Sequence, residues 1–241
     1  MSKQFEQSEQ QGKAVAKLEV VTIDGPSGVG KSTVSRRLAD ALGYTYLDTG
    51  AMYRAVAYAC AQAGIRAESA DQQDALALLL EKLALRLLPP VETGLDVRVL
   101  LAGEDISAAI RSPEMSMAAS AVSAVPAVRA RLTAMQQEMG QAGQLVADGR
   151  DTGTVVFPDA AWKFYLDASP EERCRRRVGQ LRKRGEQVDE QEILAQIIAR
   201  DRNDRERTIA PLIIAEDAVL IDSSQLAVDE VINRMLAVIN G

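Results

Sequence analysis

Residues 18 to 33 read LEVVTIDGPSGVGKST, and their order decides the fold. Leu18 to Ile23 is a short apolar run rich in β-branched residues, which predicts a buried strand. The run breaks at the turn cluster DGPSG. Gly25 to Ser32 then matches G-x-x-x-x-G-K-[ST] at every position. From Ser32 to Leu42, Val34, Leu38 and Ala41 recur at helical spacing until Gly43 stops the pattern. A glycine turn arising by chance would lack the strand before it and the helix after it. Glycines let the loop turn its backbone N–H groups inward around an anion, and the helix points its positive end at the same place. Lys31 has the reach for β- and γ-phosphates, and the Ser32 hydroxyl suits Mg²⁺. The phosphate cradle is therefore Gly25, Pro26, Ser27, Gly28, Val29, Gly30, Lys31, Ser32 and Thr33, with ATP as the expected donor and Mg²⁺ beside it.

Outward from this stretch the strand–helix rhythm repeats. Tyr44 to Asp48 predicts a second strand and Ala51 to Ala63 a helix ending at Gly64. Alternation of this kind predicts an α/β fold with a parallel sheet core and helices on both faces. Between Leu83 and Met139 the rhythm changes. Short strands at Leu85–Leu88 and Leu95–Leu101, a turn at AGED, and helices at Ser112–Ala124 and Pro126–Met139 suggest an inserted lobe. Core strands return at Leu145–Ala147 and Lys163–Leu166. Helices follow at Pro170–Arg184 and Asp189–Arg207, then a final buried strand at Ala218–Ile221 and an amphipathic helix at Val228–Ile239. The expected organisation is a polar tail (1–16), core with the glycine loop (17–82), insert (83–139), core (140–172), arginine-rich lid (173–210) and core (211–241).

Composition narrows the chemistry. The chain has 241 residues, 47% hydrophobic, enough for one sizeable core with small lobes. Histidine is absent, which removes Ser-His-Asp hydrolysis, His-ligated zinc and phosphohistidine transfer. The two cysteines, Cys60 and Cys174, form no CxxC and read as inert buried thiols in a reducing compartment. A net charge of -6 disfavours nonspecific nucleic-acid binding. No apolar run reaches the length of a membrane span, and the N-terminus lacks a signal-peptide core, so a cytoplasmic protein is expected. Without heptads, a monomer is the default expectation.

Two stretches and one charge excess point to a second anionic substrate. DTGAMYR (48–54) lies at the carboxyl end of the second strand, the edge that faces the crevice in an open α/β sheet. Thr49 there offers a hydroxyl and a helix N-cap, and Arg54 follows by a little over one turn; capping alone would be the bland account. ADGRDTGTVVFPDA (147–160) follows another strand. Asp148 at its end resembles an acidic residue on the Mg²⁺ side, and Arg150 and Asp151 come next, although Asp and Gly also make ordinary turns. Residues 173 to 207 hold 11 of the 28 Lys and Arg against 7 acids, so this stretch is +4 while the remainder is -10. Some of these arginines belong to helix-surface ion pairs. In a protein with a phosphate loop, an arginine-rich helical hairpin reads as a lid over transferring phosphates. An acceptor that is already a phosphate anion needs no general base, which agrees with the missing imidazole.

The motifs GPSGVGKS, LDTGAMYR, ADGRDTGTVVFPDA and RDRNDRERTIAPL, in this order, resemble those of bacterial cytidylate kinases, the CMP/dCMP kinases. The resemblance runs from about Val20 to Met235. It implies ATP-dependent conversion of CMP and dCMP to their diphosphates. It also implies roles: Thr49, Arg54, Arg150 and Arg207 on the CMP phosphate, with Thr49 standing where many members carry Ser; Ser120, Arg129 and Asp151 on cytosine; Arg200 and Asp204 on the sugar side. Arg176 joins Lys31, Arg150 and Arg207 at the transferring phosphates, and Ser32 and Asp148 lie on the metal side. The chemistry of the base agrees, because cytosine pairs an N4 donor with N3 and O2 acceptors and suits a carboxylate beside hydroxyl and guanidinium donors. Two rivals share the loop. One is a P-loop kinase for another monophosphate or a hydroxyl acceptor, which would want a base. The other is a nucleotide switch, against which stands the lack of an N-K-x-D guanine-reading motif.

Overall fold

The computed structural model describes residues 18–92, 96–183 and 185–241. The tail expected at 1–16 lies outside the described residues, as do the start of the strand expected from Leu95 and the end of the helix expected at Arg184. Five parallel strands form the central sheet: β1 (Leu18–Asp24), β2 (Thr45–Asp48), β6 (Leu145–Gly149), β7 (Ala160–Asp167) and β8 (Val219–Asp222), in spatial order β2-β6-β1-β7-β8. The register aligns Asp24 with Gly149 and Asp48 with Asp148, so the carboxyl ends of three neighbouring strands finish side by side.

Helices cover both faces because the central strands are apolar on both. Val21, Ile23, Val146, Phe164 and Leu166 pack with Val34 and Leu38 of α1 (Lys31–Leu42) and Val231, Ile232 and Met235 of α8 (Val228–Asn240). On the other face Val20, Leu47, Leu145 and Ala147 pack with Met52, Ala55 and Val56 of α2 (Thr49–Gln62). The same cluster continues through Leu76 and Leu80 of α3 (Gln73–Glu81) and through Val128 and Leu132 of α5 (Pro126–Gly140). It reaches Leu85 and Val99 in a small antiparallel sheet of β3 (Leu85–Leu88), β4 (Arg98–Leu101) and β5 (Glu104–Asp105). The β4–β5 hairpin turns at Ala102 and Gly103, both at positive φ, as the expected AGED turn requires. The insert therefore shares its apolar core with α2. The helix α4 (Pro113–Val122) closes the insert beside α2, and its N-cap Ser112 accepts from the Met115 N–H.

The hairpin of α6 (Pro170–Lys183) and α7 (Glu190–Glu206) stands outside both apolar clusters. Two sequence expectations need correction. The last strand, expected to be buried, is an edge strand: β8 pairs with β7 alone, Leu220 is 56% exposed, and of its four residues only Ile221 is buried. The Thr49 cap is also displaced. Asp48 occupies the N-cap and accepts from the Ala51 N–H, while Thr49 is the first helical residue. One helix, α3, was not separated as an element in the sequence; it ends at Glu81, and a turn at Lys82 leads into β3.

Candidate active site

The phosphate loop runs from Gly25 to Ser32 across the carboxyl edge of the sheet. Gly25 has φ 148° and presses so close to β7 that a Cβ there would stand 2.0 Å from the Leu166 carbonyl oxygen. Gly30 is the N-cap of α1 and supplies no side-chain acceptor, so the first-turn N–H groups are left for an anion. Lys31 is buried, and its Nζ donates to the carbonyls of Gly25 and Pro26, both at 2.7 Å. Burial lowers its pKa well below the usual lysine value, and Arg150 and Arg200 repel it further, against the pull of Asp148 and Asp24. Ser27, Gly28, Gly30, Lys31, Ser32 and Thr33 border a cleft of about 790 Å³. Gly25, Pro26 and Val29 do not border it. Val29 is buried in the sheet core, and these three serve through backbone carbonyls that accept from Lys31 and Arg176.

Beside the loop, Ser32 Oγ donates to Asp148 Oδ2 at 2.8 Å and Tyr46 Oη to Oδ1 at 3.3 Å. Burial, reinforced by Asp48, raises the Asp148 carboxyl to about 7. A serine oxygen beside a carboxylate is the hard-oxygen set that Mg²⁺ takes together with substrate phosphates. Among the described residues, no group of three or more acidic, Cys or His side chains could hold a metal by itself.

The opposite wall is built from remote segments. Arg54 pairs with Asp48 at 3.1 Å, and the Thr49 hydroxyl donates to the Asp148 carbonyl at 2.6 Å. Arg150 Nε meets Asp204 Oδ2 at 2.7 Å, and Ser120 Oγ donates to Asp204 Oδ1 at 3.3 Å. Asp151 joins two arginines: Arg129, and Arg207 at 3.2 Å. Arg129 also stacks over the Tyr53 ring, 5.8 Å from its centre, and stands behind Asp151 instead of on the cleft surface. Arg200 borders the cleft with its Nε unpartnered; burial and the neighbouring Arg150 lower its pKa to about 10. Burial also lowers Arg207, against the pull of Asp151. In Asp204, burial is outweighed by Arg150 and Arg200, and its carboxyl stays low.

The arginine-rich hairpin divides in two. Arg176 borders the cleft, held by Glu172 at 2.7 Å and by the carbonyls of Val29 and Ser223. Arg173, 1% exposed, is structural. It grips Asp201 through two hydrogen bonds of 3.1 and 2.6 Å and donates to the Ser27 and Ala168 carbonyls. Asp24, Tyr46, Tyr53 and the Arg173–Asp201 pair carried no local signal, because their roles depend on strand register and on contacts between distant elements.

A five-stranded parallel sheet with a glycine-lysine phosphate loop and a facing arginine wall defines a P-loop phosphotransferase. The chain belongs to the cytidylate kinase family, whose family model matches residues 21–241. It is 48% identical over 91% of its length to the cytidylate kinase of Syntrophotalea carbinolica, covering 91% of that protein. To the cytidylate kinase of Haemophilus ducreyi it is 46% identical, over 90% of this chain and 95% of that one. A crystal structure of shikimate kinase from Bacteroides thetaiotaomicron overlays with a TM-score of 0.46 at 12% identity, covering 93% of this chain and 99% of the other, a likeness too distant to bear on substrate.

Proposed function

We propose that the chain transfers the γ-phosphoryl group of ATP to the phosphate of CMP and dCMP, giving CDP and dCDP. The observation that carries this reading is the gathering of Lys31, Arg54, Arg150 and Arg200 around one cleft, where burial and cationic neighbours lower the pKa of Lys31 and Arg200. Cations that repel one another in a shared cavity are relieved by anions, and two phosphate chains supply them.

The donor seat is the loop from Gly25 to Thr33, where the N–H groups of the first turn of α1 and Lys31 take the β- and γ-phosphates. Ser32 and Asp148 would hold Mg²⁺ on this side. When bound, that ion offsets phosphate charge and fixes the donor's orientation. The acceptor seat is the opposite wall. Thr49, Arg54, Arg150 and Arg207 orient the acceptor phosphate, and Arg200 and Asp204 lie toward the sugar. Ser120, Asp151 and, from behind, Arg129 address the cytosine edge. A phosphate monoester has its second pKa near about 6, so the acceptor oxygen is already anionic at neutral pH and no side chain need take a proton. Lys31, Arg150, Arg176 and Arg207 then act by positioning and by offsetting charge on the transferring group. The insert (83–139) and the hairpin (173–210) are the lobes that bring the two seats together and keep water out.

Cytosine selectivity follows from donor and acceptor order. Uracil exchanges the N4 donor for an acceptor and N3 for a donor, so a wall made for cytosine leaves its own polar groups unpaired. An assay of ADP release with CMP, dCMP, UMP and AMP tests the reading. CMP and dCMP should lead, and a preference for AMP would overturn the cytosine assignment. Among the described residues no helix is long and apolar enough to cross a membrane. We further propose a cytoplasmic monomer that needs no nucleic acid or protein partner.

A further inference from the structure

Asp24 ends β1 and immediately precedes the phosphate loop, yet nothing in the transfer calls on it. Its carboxylate is buried and fully committed. Oδ1 accepts from the Thr152 N–H at 2.9 Å and from the Thr152 hydroxyl at 2.8 Å, and Oδ2 accepts from the Gly153 N–H at 2.8 Å. These partners directly follow Arg150 and Asp151.

The local backbone explains why this matters. The β1–β6 ladder ends at the Asp24–Gly149 pair, so the chain beyond Gly149 is not held by that ladder. Residues Thr152–Val156 form a single wide helical turn, in which Val155 and Val156 donate to the Asp151 carbonyl and Phe157 to that of Thr152. The N–H groups of Thr152 and Gly153 open this turn and have no acceptor within it, the usual state of a helix start. Asp151 stands at the N-cap, where an aspartate would ordinarily accept from its own turn. Here it makes no such bond, and its two oxygens go to Arg129 and Arg207. Packing leaves the turn little freedom. A Cβ on Gly153 would lie 2.8 Å from Thr22 Oγ1, and one on Gly149 would lie 2.6 Å from Thr152 Cγ2.

We propose that Asp24 is the positioning residue of the acceptor seat: it caps the 152–156 turn from the neighbouring strand and thereby releases the Asp151 carboxylate for Arg129, Arg207 and the base of the acceptor. The part concerning the base rests on the cytosine reading above. The capping part rests on the hydrogen bonds alone.

Asp24→Asn keeps the shape but can offer an acceptor on one side only, so one of the two N–H groups faces an amide NH₂. Asp151 then turns back toward its own turn. A buried donor left unpaired corresponds to a loss of roughly tenfold or more. The expected result is a fall of that order in kcat/KM for the acceptor and in the CMP-over-UMP ratio, with KM for ATP within about threefold of wild type. ATP is the necessary control, because Asp24 also contributes negative charge near Lys31. Thr152→Val removes one of the three donors and should show a smaller loss of the same kind. Thr152→Ser, which keeps the hydroxyl, should behave as wild type. This series keeps the test open should Asp24→Asn fail to fold. Equal losses on the ATP and acceptor sides in folded protein, or an unchanged CMP-over-UMP ratio with Thr152→Val matching Thr152→Ser, would overturn the proposal. Were the wild type to prefer another monophosphate, the cytosine reading would fail. The same series, read with that acceptor, would still decide the role of Asp24.

Discussion

Asp148 shows at the scale of one residue how a site is held ready at a cost to the empty fold. Burial and the nearby Asp48 raise its carboxyl to about 7, against the opposing pull of Lys31, Ser32 and Arg150. In the unfolded chain an aspartate titrates near about 3.9. The folded value is the higher one, so the stabilising contribution is complete below the unfolded value. It drains away as pH rises through about 7, because the unfolded chain gives up this proton first. Asp148→Asn removes the ionisation. In protein free of nucleotide and Mg²⁺, this variant should gain little in melting temperature near pH 5 and progressively more toward pH 8, while its kcat falls. Melting curves across that range check the sign, and a gain that shrinks with rising pH would show that Asp148 is not held near neutrality by its surroundings.

At the scale of elements, the phosphate loop is rigid where it meets β7, whereas α6 of the hairpin is permissive. Gly25 combines φ 148° with a carbonyl 2.0 Å from where a Cβ would sit. Gly179, inside α6, has open space around it. Gly25→Ala should therefore cost about 2 kcal/mol or more and weaken ATP binding. Gly179→Ala should stabilise by roughly 0.4–1 kcal/mol and leave activity unchanged. Urea unfolding of the two variants side by side checks both. The same contrast explains what the sequence could and could not reveal. The loop was legible because its strand, glycines and helix are contiguous and each carries a local signal. Asp148, Arg150 and Asp151 were legible because a strand end in a parallel sheet always faces the crevice. Ser120 and Arg129 had no local signal, since a serine in AASAVSA looks like packing and a single arginine on a helix is an ordinary residue. Only the family motifs singled them out. Asp24, Tyr46 and the Arg173–Asp201 pair escaped altogether, because their partners are 128, 102 and 28 residues away. The burial of the last strand was misread for a related reason. Apolar Val219 and Leu220 look like core residues, but the position of β8 at the sheet edge exposes them.

For the molecule as a whole, the two lobes are fastened by different forces. The insert belongs to a single apolar cluster that runs from Val20 in the sheet through α2 to Val99. Opening it would expose that cluster to water, so it is expected to unfold with the core and not before it. The α6–α7 hairpin contributes no residue to either large cluster. It is braced internally by Arg173–Asp201 and tied to the core by Arg173 donating to the Ser27 carbonyl at its root, by Arg150–Asp204, and by Arg207, which follows α7, pairing with Asp151. Links of this kind hold geometry well but add little net stability once desolvation is counted. The hairpin should therefore be the element that opens, and residues 170–206 should exchange amide hydrogens faster than β1 and β6 in the free protein. Two of its ties, Arg150–Asp204 and Arg207–Asp151, use the side chains proposed to face the acceptor. A nucleotide that engages them must rearrange or reinforce those ties. Hydrogen exchange followed by mass spectrometry, with and without CMP and a nonhydrolysable ATP analogue, measures this directly. Protection should rise mainly in 170–206 and in the 149–156 turn when both ligands are present, and hardly at all in the insert sheet. Equal protection of hairpin and sheet strands in the free protein would show that ion pairs fasten the hairpin as firmly as apolar burial fastens the core, and closure would then have to be sought in the insert.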